Sequence, residues 1–181
     1  MEKRKYLILR IIFVVASVLL LFTLQTALLG RIPYLNIVPN LVLCCVSSFG
    51  ILRGRRRGLW IGFTAGLLVD IFYGGPMIGF FALIYMYIGF LNGLFSKIVL
   101  KDMVMVPLIF VTGSEFLYHL YVYLFSYLLR RRLGFLEYVK GIMIPEFALT
   151  IVFMLVLYGI LESINSRIKH AERKGEMTIV A

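Results

Sequence analysis

Four titratable side chains lie well inside apolar runs of this 181-residue sequence: Asp70, Glu115, His119 and Glu146. A charged group in the hydrocarbon region of a bilayer is costly, so it usually faces the interior of a helix bundle and marks a functional site. At about 1.5 Å per residue, all three acids fall roughly 20 Å from the inner membrane face. The spacing therefore predicts one polar pocket, shared by three helices, in the outer half of the membrane.

Such a pocket could bind a cation, a small solute or the polar segment of a partner. At least one acid is expected to be protonated at neutral pH, because like charges in a low dielectric cannot all ionise. Only Glu115 and His119 have a defined spacing, one helical turn, so no metal site is predicted. The alternative interpretation is that each acid caps a helix or bonds a neighbouring hydroxyl group.

No enzyme motif accompanies these residues. The sequence contains no Gly-x-x-x-x-Gly-Lys loop, no His-Glu-x-x-His and no Gly-x-Ser-x-Gly. We therefore predict a protein that is not an enzyme and has no cofactor.

The composition indicates an integral membrane protein. Apolar residues make up 61% of the chain and charged residues 15%, against about 45–50% and about 25% in soluble domains. The net charge of +10 comes from Lys and Arg placed between apolar runs, so nucleic-acid binding is not predicted. Cys44 and Cys45 are adjacent in one apolar run, and we interpret them as small apolar fillers.

The apolar runs predict an all-α polytopic bundle, since about 20 apolar residues cross a membrane. The first run is too long for a signal peptide, whose apolar region has about 7–15 residues. We expect one membrane domain over residues 1–181, with a cytoplasmic tail at 165–181 and six transmembrane helices at residues 7–29, 38–52, 59–73, 77–99, 103–129 and 141–164.

Six spans place both termini on the same side of the membrane. With the termini in the cytoplasm, 14 of the 19 basic residues lie inside, as cytoplasmic loops require. Five basic residues lie outside, and three of them form the arginine cluster at 130–132, which conflicts with this rule. A second cluster is interpreted as a cytoplasmic anchor: Arg53, Arg55, Arg56 and Arg57.

Glycines recur at helical spacing in the third and fourth spans: Gly58, Gly62 and Gly66, then Gly89 and Gly93. Small residues let transmembrane backbones approach closely. These glycines therefore predict a packing face, which could meet a helix of the same chain or a helix of a partner.

Two segments carry turn or helix-start signals. Pro39 and Asn40 open the second span, since proline fits the first turn of a helix. The breaker formed by Gly74, Gly75 and Pro76 separates the third and fourth spans and falls on the outer side in this topology.

The order of these features resembles the rod shape-determining protein MreD family. The resemblance rests on Pro39-Asn40, the basic turn, Gly62-Phe63, Gly66-Leu67-Leu68, Asp70, Gly74, Gly79 and Ala82-Leu83. It is specific from Pro39 to about Gly93. The second half of the chain matches the family only by its pattern of apolar runs.

The resemblance implies a scaffold subunit of the cell-elongation complex in the bacterial plasma membrane. Such a subunit is needed for cell shape and lateral peptidoglycan synthesis. The implied direct partner is MreC, with the actin-like MreB, the glycosyltransferase RodA and a class B penicillin-binding transpeptidase as indirect partners.

The family also looks similar in fold to the S-components of energy-coupling-factor transporters. The alternative function is therefore a vitamin-binding S-component. The Ala-x-x-x-Ala surface typical of the first S-component helix is missing here, since Ala16 and Ala27 are eleven apart.

Overall fold

The computed structural model describes residues 2–29, 38–73, 77–97, 105–128 and 134–180. Within these ranges the chain forms six helices and no strands. The first four are α1 (Glu2–Leu29), α2 (Leu41–Arg53), α3 (Arg55–Tyr73) and α4 (Phe80–Leu94), and a short 3₁₀ turn, Phe95–Lys97, follows α4. Helix α5 comprises Met105–Val122 and continues as the π-helical segment Tyr123–Leu128. Helix α6 comprises Phe135–Tyr138, the π-helical segment Val139–Met143 and Ile144–Val180.

The all-α membrane bundle predicted from hydropathy is confirmed. Among the described residues, three segments are long and apolar enough to cross a membrane, namely Arg4–Ala27, Pro107–Tyr127 and Phe135–Ile168, and α2 and α4 are shorter apolar helices. Their outward surfaces are apolar as well: Leu20 on α1 is 65% exposed and Ile109 on α5 is 67% exposed. Apolar outer surfaces suit contact with lipid tails.

Helix α2 is the centre of the bundle. Its residues from Leu41 to Ile51 are all buried, and it packs against each of the other described helices. Small residues, including Cys44, Ser47 and Gly50, leave room for these neighbours. Both cysteines are free and buried, in agreement with their interpretation as fillers.

Helices α3 and α4 form a hairpin whose backbones touch along the predicted glycine face. A Cβ placed on Gly58 would fall on the carbonyl oxygen of Gly89, and a Cβ on Gly89 would fall on the carbonyl oxygen of Gly58. Gly62 meets the backbone of Tyr85 in the same way. Gly66 lies against Phe81 and Ala82, and Gly93 against Arg55. The glycine face is therefore filled by the chain's own hairpin, and a partner's helix has no room there.

Two predicted features lie outside the described residues. These are the breaker Gly74-Gly75-Pro76 and the arginine loop at 130–132. The four arginines of the predicted cytoplasmic anchor lie within the described residues. Arg55, Arg56 and Arg57 are exposed in the first turn of α3, and Arg53 is partly buried at the end of α2.

Candidate functional site: a buried carboxylate–histidine cluster

Two helices contribute the titratable residues of the cluster, two residues from one helix and one from the other. Helix α5 carries Glu115 and His119, and α6 carries Glu146 near the start of its long segment. One possible ligand atom from each of the three residues lies within 4.8 Å of the others. Glu115 and His119 are each only 1% exposed. The structure thus brings together three of the four residues that were predicted to share a pocket.

Asp70 is the exception. Its Oδ1 accepts the backbone N–H of Phe81 at 2.9 Å, and its Oδ2 accepts those of Gly79 at 3.1 Å and Ala82 at 2.9 Å. The first amides of a helix have no intrahelical partner, and a carboxylate there is also favoured by the helix dipole. Asp70 therefore caps α4 from the end of α3, as the alternative interpretation for the acids allowed. Asp70 was predicted to share the pocket with the other acids, whereas the structure places its carboxylate at the start of α4.

His119 is held between two other side chains. Its Nδ1 lies 3.0 Å from the hydroxyl of Tyr138, at the start of α6. Its Nε2 lies 3.7 Å from Oε1 of Glu115. The first of these distances fits a hydrogen bond and the second is too long for one. The tyrosine therefore orients the ring, and Nε2 points towards the carboxylates.

The hydroxyl group of Thr150 joins this cluster to the centre of the bundle. Its oxygen accepts the backbone N–H of Asn40 at 3.1 Å. It also lies 3.1 Å from Oε1 of Glu115 and 2.8 Å from the backbone carbonyl of Glu146. One hydroxyl hydrogen can serve only one of those two acceptors. All three contacts are hydrogen bonds at once when Glu115 is neutral and donates to Thr150.

Asn40 extends the network to two more helices. Its Oδ1 accepts the N–H of Leu43 at 3.1 Å, which caps α2, and it accepts the hydroxyl of Tyr85 on α4 at 2.9 Å. The predicted helix start at Asn40 is therefore also a member of the polar network. Four helices, α2, α4, α5 and α6, meet through these bonds.

Two buried atoms of the cluster remain without a hydrogen-bond partner among the described residues: Oε2 of Glu115 and Nε2 of His119. Leaving a buried polar atom unpaired costs about 1–3 kcal/mol. Together with the carboxylate of Glu146, these atoms could hold a cation or bond a polar group of a ligand. Two carboxylates and one imidazole are a donor set that zinc accepts. The expectation of no metal site stays a prediction.

Sequence reasoning missed three side chains of the network, those of Thr150, Tyr138 and Tyr85. Thr150 follows Glu146 by one turn, so it shares a helix face with a predicted residue, and this spacing is a signal in the sequence. Tyr138 lies before the predicted sixth span, and no local pattern connects it with His119.

The comparisons with known proteins point to one family. A family model described as rod shape-determining protein MreD matches residues 4–167. No curated protein and no solved structure matches the chain. The matched range contains the whole glycine hairpin, the Asp70 cap and the carboxylate–histidine cluster.

Proposed function

Because the chain belongs to the rod shape-determining protein MreD family, we propose that it is the membrane scaffold of the cell-elongation complex and acts by binding MreC. The family match assigns the chain a role in rod shape, and the match across 4–167 is the observation that carries the proposal. In this proposal the protein performs no catalysis. It positions MreC, and through it MreB, RodA and a class B transpeptidase, for lateral peptidoglycan synthesis.

The architecture suits a rigid scaffold. The α3–α4 hairpin is stabilised by direct backbone contact, and the carboxylate of Asp70 caps α4 at the tip of the hairpin. The polar network of Asn40, Thr150 and Glu115 joins α5 and α6 to α2. A partner that binds such a body meets a surface of defined shape and loses little free energy to ordering it.

The proposed contact for MreC is the tip of the hairpin. Four large apolar side chains are exposed there: Ile71 and Phe72 at 70% each, Met77 at 76% and Ile78 at 90%. In the predicted topology this tip faces outward. It could contact the transmembrane helix of MreC and the segment that follows the helix outside the membrane.

Co-purification with tagged MreC tests the contact. We expect Ile78→Gln to reduce the recovery of MreC severalfold, because it removes apolar contact at the tip. The matched control is Leu136→Gln, a 69% exposed position at the start of α6 and at the same predicted membrane face. Equal recovery of MreC with both variants would exclude the tip as the contact, while wild-type protein that retains no MreC would refute the scaffold proposal itself.

Depletion of the protein separates this function from the alternative. Rounded cells would support the elongation role. A vitamin auxotrophy, together with saturable thermal stabilisation of the purified protein by that vitamin, would support an S-component instead.

A further inference from the structure

A groove of about 340 Å³ runs between α1 and α3, at the end of the bundle that is predicted to face the cytoplasm. Its two ends differ in chemistry. Arg10, Arg53 and Arg57 line one part, and apolar side chains such as Val14, Val15 and Ile61 line another. The groove thus combines a cationic end with an apolar wall, in a protein whose outer surface contacts lipid.

The charges at the cationic end are poorly compensated. Nη1 of Arg53 donates to the backbone carbonyl of Arg10 at 3.1 Å. Nε and Nη2 of Arg53, and Nε of Arg10, are buried and have no hydrogen-bond partner among the described residues. Among the described residues, the one carboxylate that pairs with these arginines is that of Glu172 on α6, which contacts Nη2 of Arg10. Within this part of the chain, three guanidinium groups thus have one acidic partner.

The aromatic contacts of Arg53 hold its guanidinium in place. Its central carbon lies 5.2 Å from the ring centre of Phe49 and 6.0 Å from that of Phe13. Contacts at this distance are attractive but weak. They neutralise no charge, and they leave the unpaired N–H groups free to donate.

The order of residues along each helix places the charges shallow and the apolar wall deeper. On α3, Ile61 and Thr64 follow Arg57 by one and two turns, so Thr64 lies about 10 Å further into the membrane. On α1, Val14 follows Arg10 by one turn and lies about 6 Å further in. Trp60 lines the groove at a depth between the arginines and the apolar wall. Tryptophan is enriched at the membrane–water interface of membrane proteins, which corresponds to this depth.

We propose that this groove binds one anionic phospholipid. Its phosphate accepts hydrogen bonds from Arg10, Arg53 and Arg57, and one acyl chain lies along Val14, Val15 and Ile61. The phosphate compensates the charge of the three guanidinium groups that line the groove, and the acyl chain covers the apolar wall. Charge complementarity favours this occupant over a neutral lipid, and the wall favours it over free phosphate. Anionic lipids are also abundant in the cytoplasmic leaflet.

The test measures lipid binding by the purified full chain in nanodiscs. One set contains phosphatidylcholine alone, and the other contains increasing fractions of phosphatidylglycerol. We expect a saturable rise in melting temperature with phosphatidylglycerol and no rise with inorganic phosphate. A rise that does not depend on the anionic lipid, or an equal rise with inorganic phosphate, would overturn the proposal.

Four variants localise the effect. Each arginine near a lipid surface contributes about 1 kcal/mol, so Arg57→Gln should weaken apparent affinity for phosphatidylglycerol about fivefold. The matched controls are Arg55→Gln and Arg56→Gln, which remove the same charge from exposed positions outside the groove. Glu172→Gln should strengthen binding by a similar factor, because it removes the competing carboxylate.

The gain expected for Glu172→Gln cannot arise from misfolding, and Arg57 is exposed, so neither variant relies on a damaged protein. Equal losses at positions 55, 56 and 57 would show only general surface attraction and would refute a specific site. Unchanged or weaker binding by Glu172→Gln would also count against it. None of these outcomes depends on MreC, so the lipid experiment can fail without affecting the scaffold proposal.

Discussion

The backbone N–H of Asn40 donates to the hydroxyl oxygen of Thr150 at 3.1 Å, which joins the start of α2 to α6 across 110 positions of sequence. The same hydroxyl lies 3.1 Å from the carboxylate of Glu115. One threonine therefore connects the central helix with the buried carboxylate–histidine cluster. Through this connection, the hydrogen bonding at the start of α2 and the protonation of the cluster affect each other.

Replacement of this threonine tests the connection. Thr150→Val keeps the size of the side chain but leaves the Asn40 N–H unpaired in the core, at a cost of about 1–3 kcal/mol. We expect a lower melting temperature in detergent micelles. Thr150→Ser retains the hydroxyl group, so its melting temperature should stay closer to that of the wild type. If valine and serine lower the melting temperature equally, the hydroxyl group contributes nothing to stability.

The protonation of Glu115 can be examined by substitution. Glu115→Gln supplies a neutral side chain that can donate to Thr150, so we expect it to keep most of the stability of the wild type. Glu115→Leu removes one hydrogen bond of Thr150, which keeps its contacts with Asn40 and Glu146, and should cost about 0.5–1.5 kcal/mol. Thermal melting distinguishes the two. A Gln variant as unstable as the Leu variant would show that the fold needs the ionised carboxylate.

The glycine hairpin gives a third prediction. A Cβ at Gly62 would collide with the backbone carbonyl of Tyr85, so Gly62→Ala should destabilise the protein by about 1–3 kcal/mol through overpacking. The control is Gly159→Ala on α6, where nothing lies within 4 Å of the added Cβ. That change should be neutral or stabilising by up to about 1 kcal/mol, because alanine is the better helix former. Similar melting temperatures for both variants would contradict the close contact.

Asp70 gives a fourth prediction, on function. Asp70→Ala leaves three amides at the start of α4 without their acceptor, so we expect the hairpin tip to loosen while the protein still inserts into the membrane. Rod shape and MreC recovery should therefore fall more than the amount of membrane-inserted protein. Asp70→Asn retains one carbonyl oxygen and should show a smaller loss. Normal rod shape with undiminished MreC recovery in the Ala variant would refute this role.

Much of the fold follows from local features of the sequence. The length and hydropathy of each apolar run predict a membrane helix because the bilayer imposes a minimum length and excludes unpaired backbone groups. The four-residue spacing of Gly58, Gly62 and Gly66 likewise predicts a face without side chains, and that face is where α3 and α4 touch.

The lateral arrangement of the helices required the tertiary structure. Counting residues gives the depth of an acid along the membrane normal, and on that basis Asp70, Glu115 and Glu146 belong together. Their positions around the bundle depend on which helices are neighbours and how each is rotated. Asp70 lies on α3, which pairs with α4, and its carboxylate turns to the open amides there. Glu115 and Glu146 lie on α5 and α6, and only the packing of these helices with each other and with α2 brings in Thr150, Tyr138 and Asn40. Long-range pairing of this kind leaves no periodic signal in a single sequence.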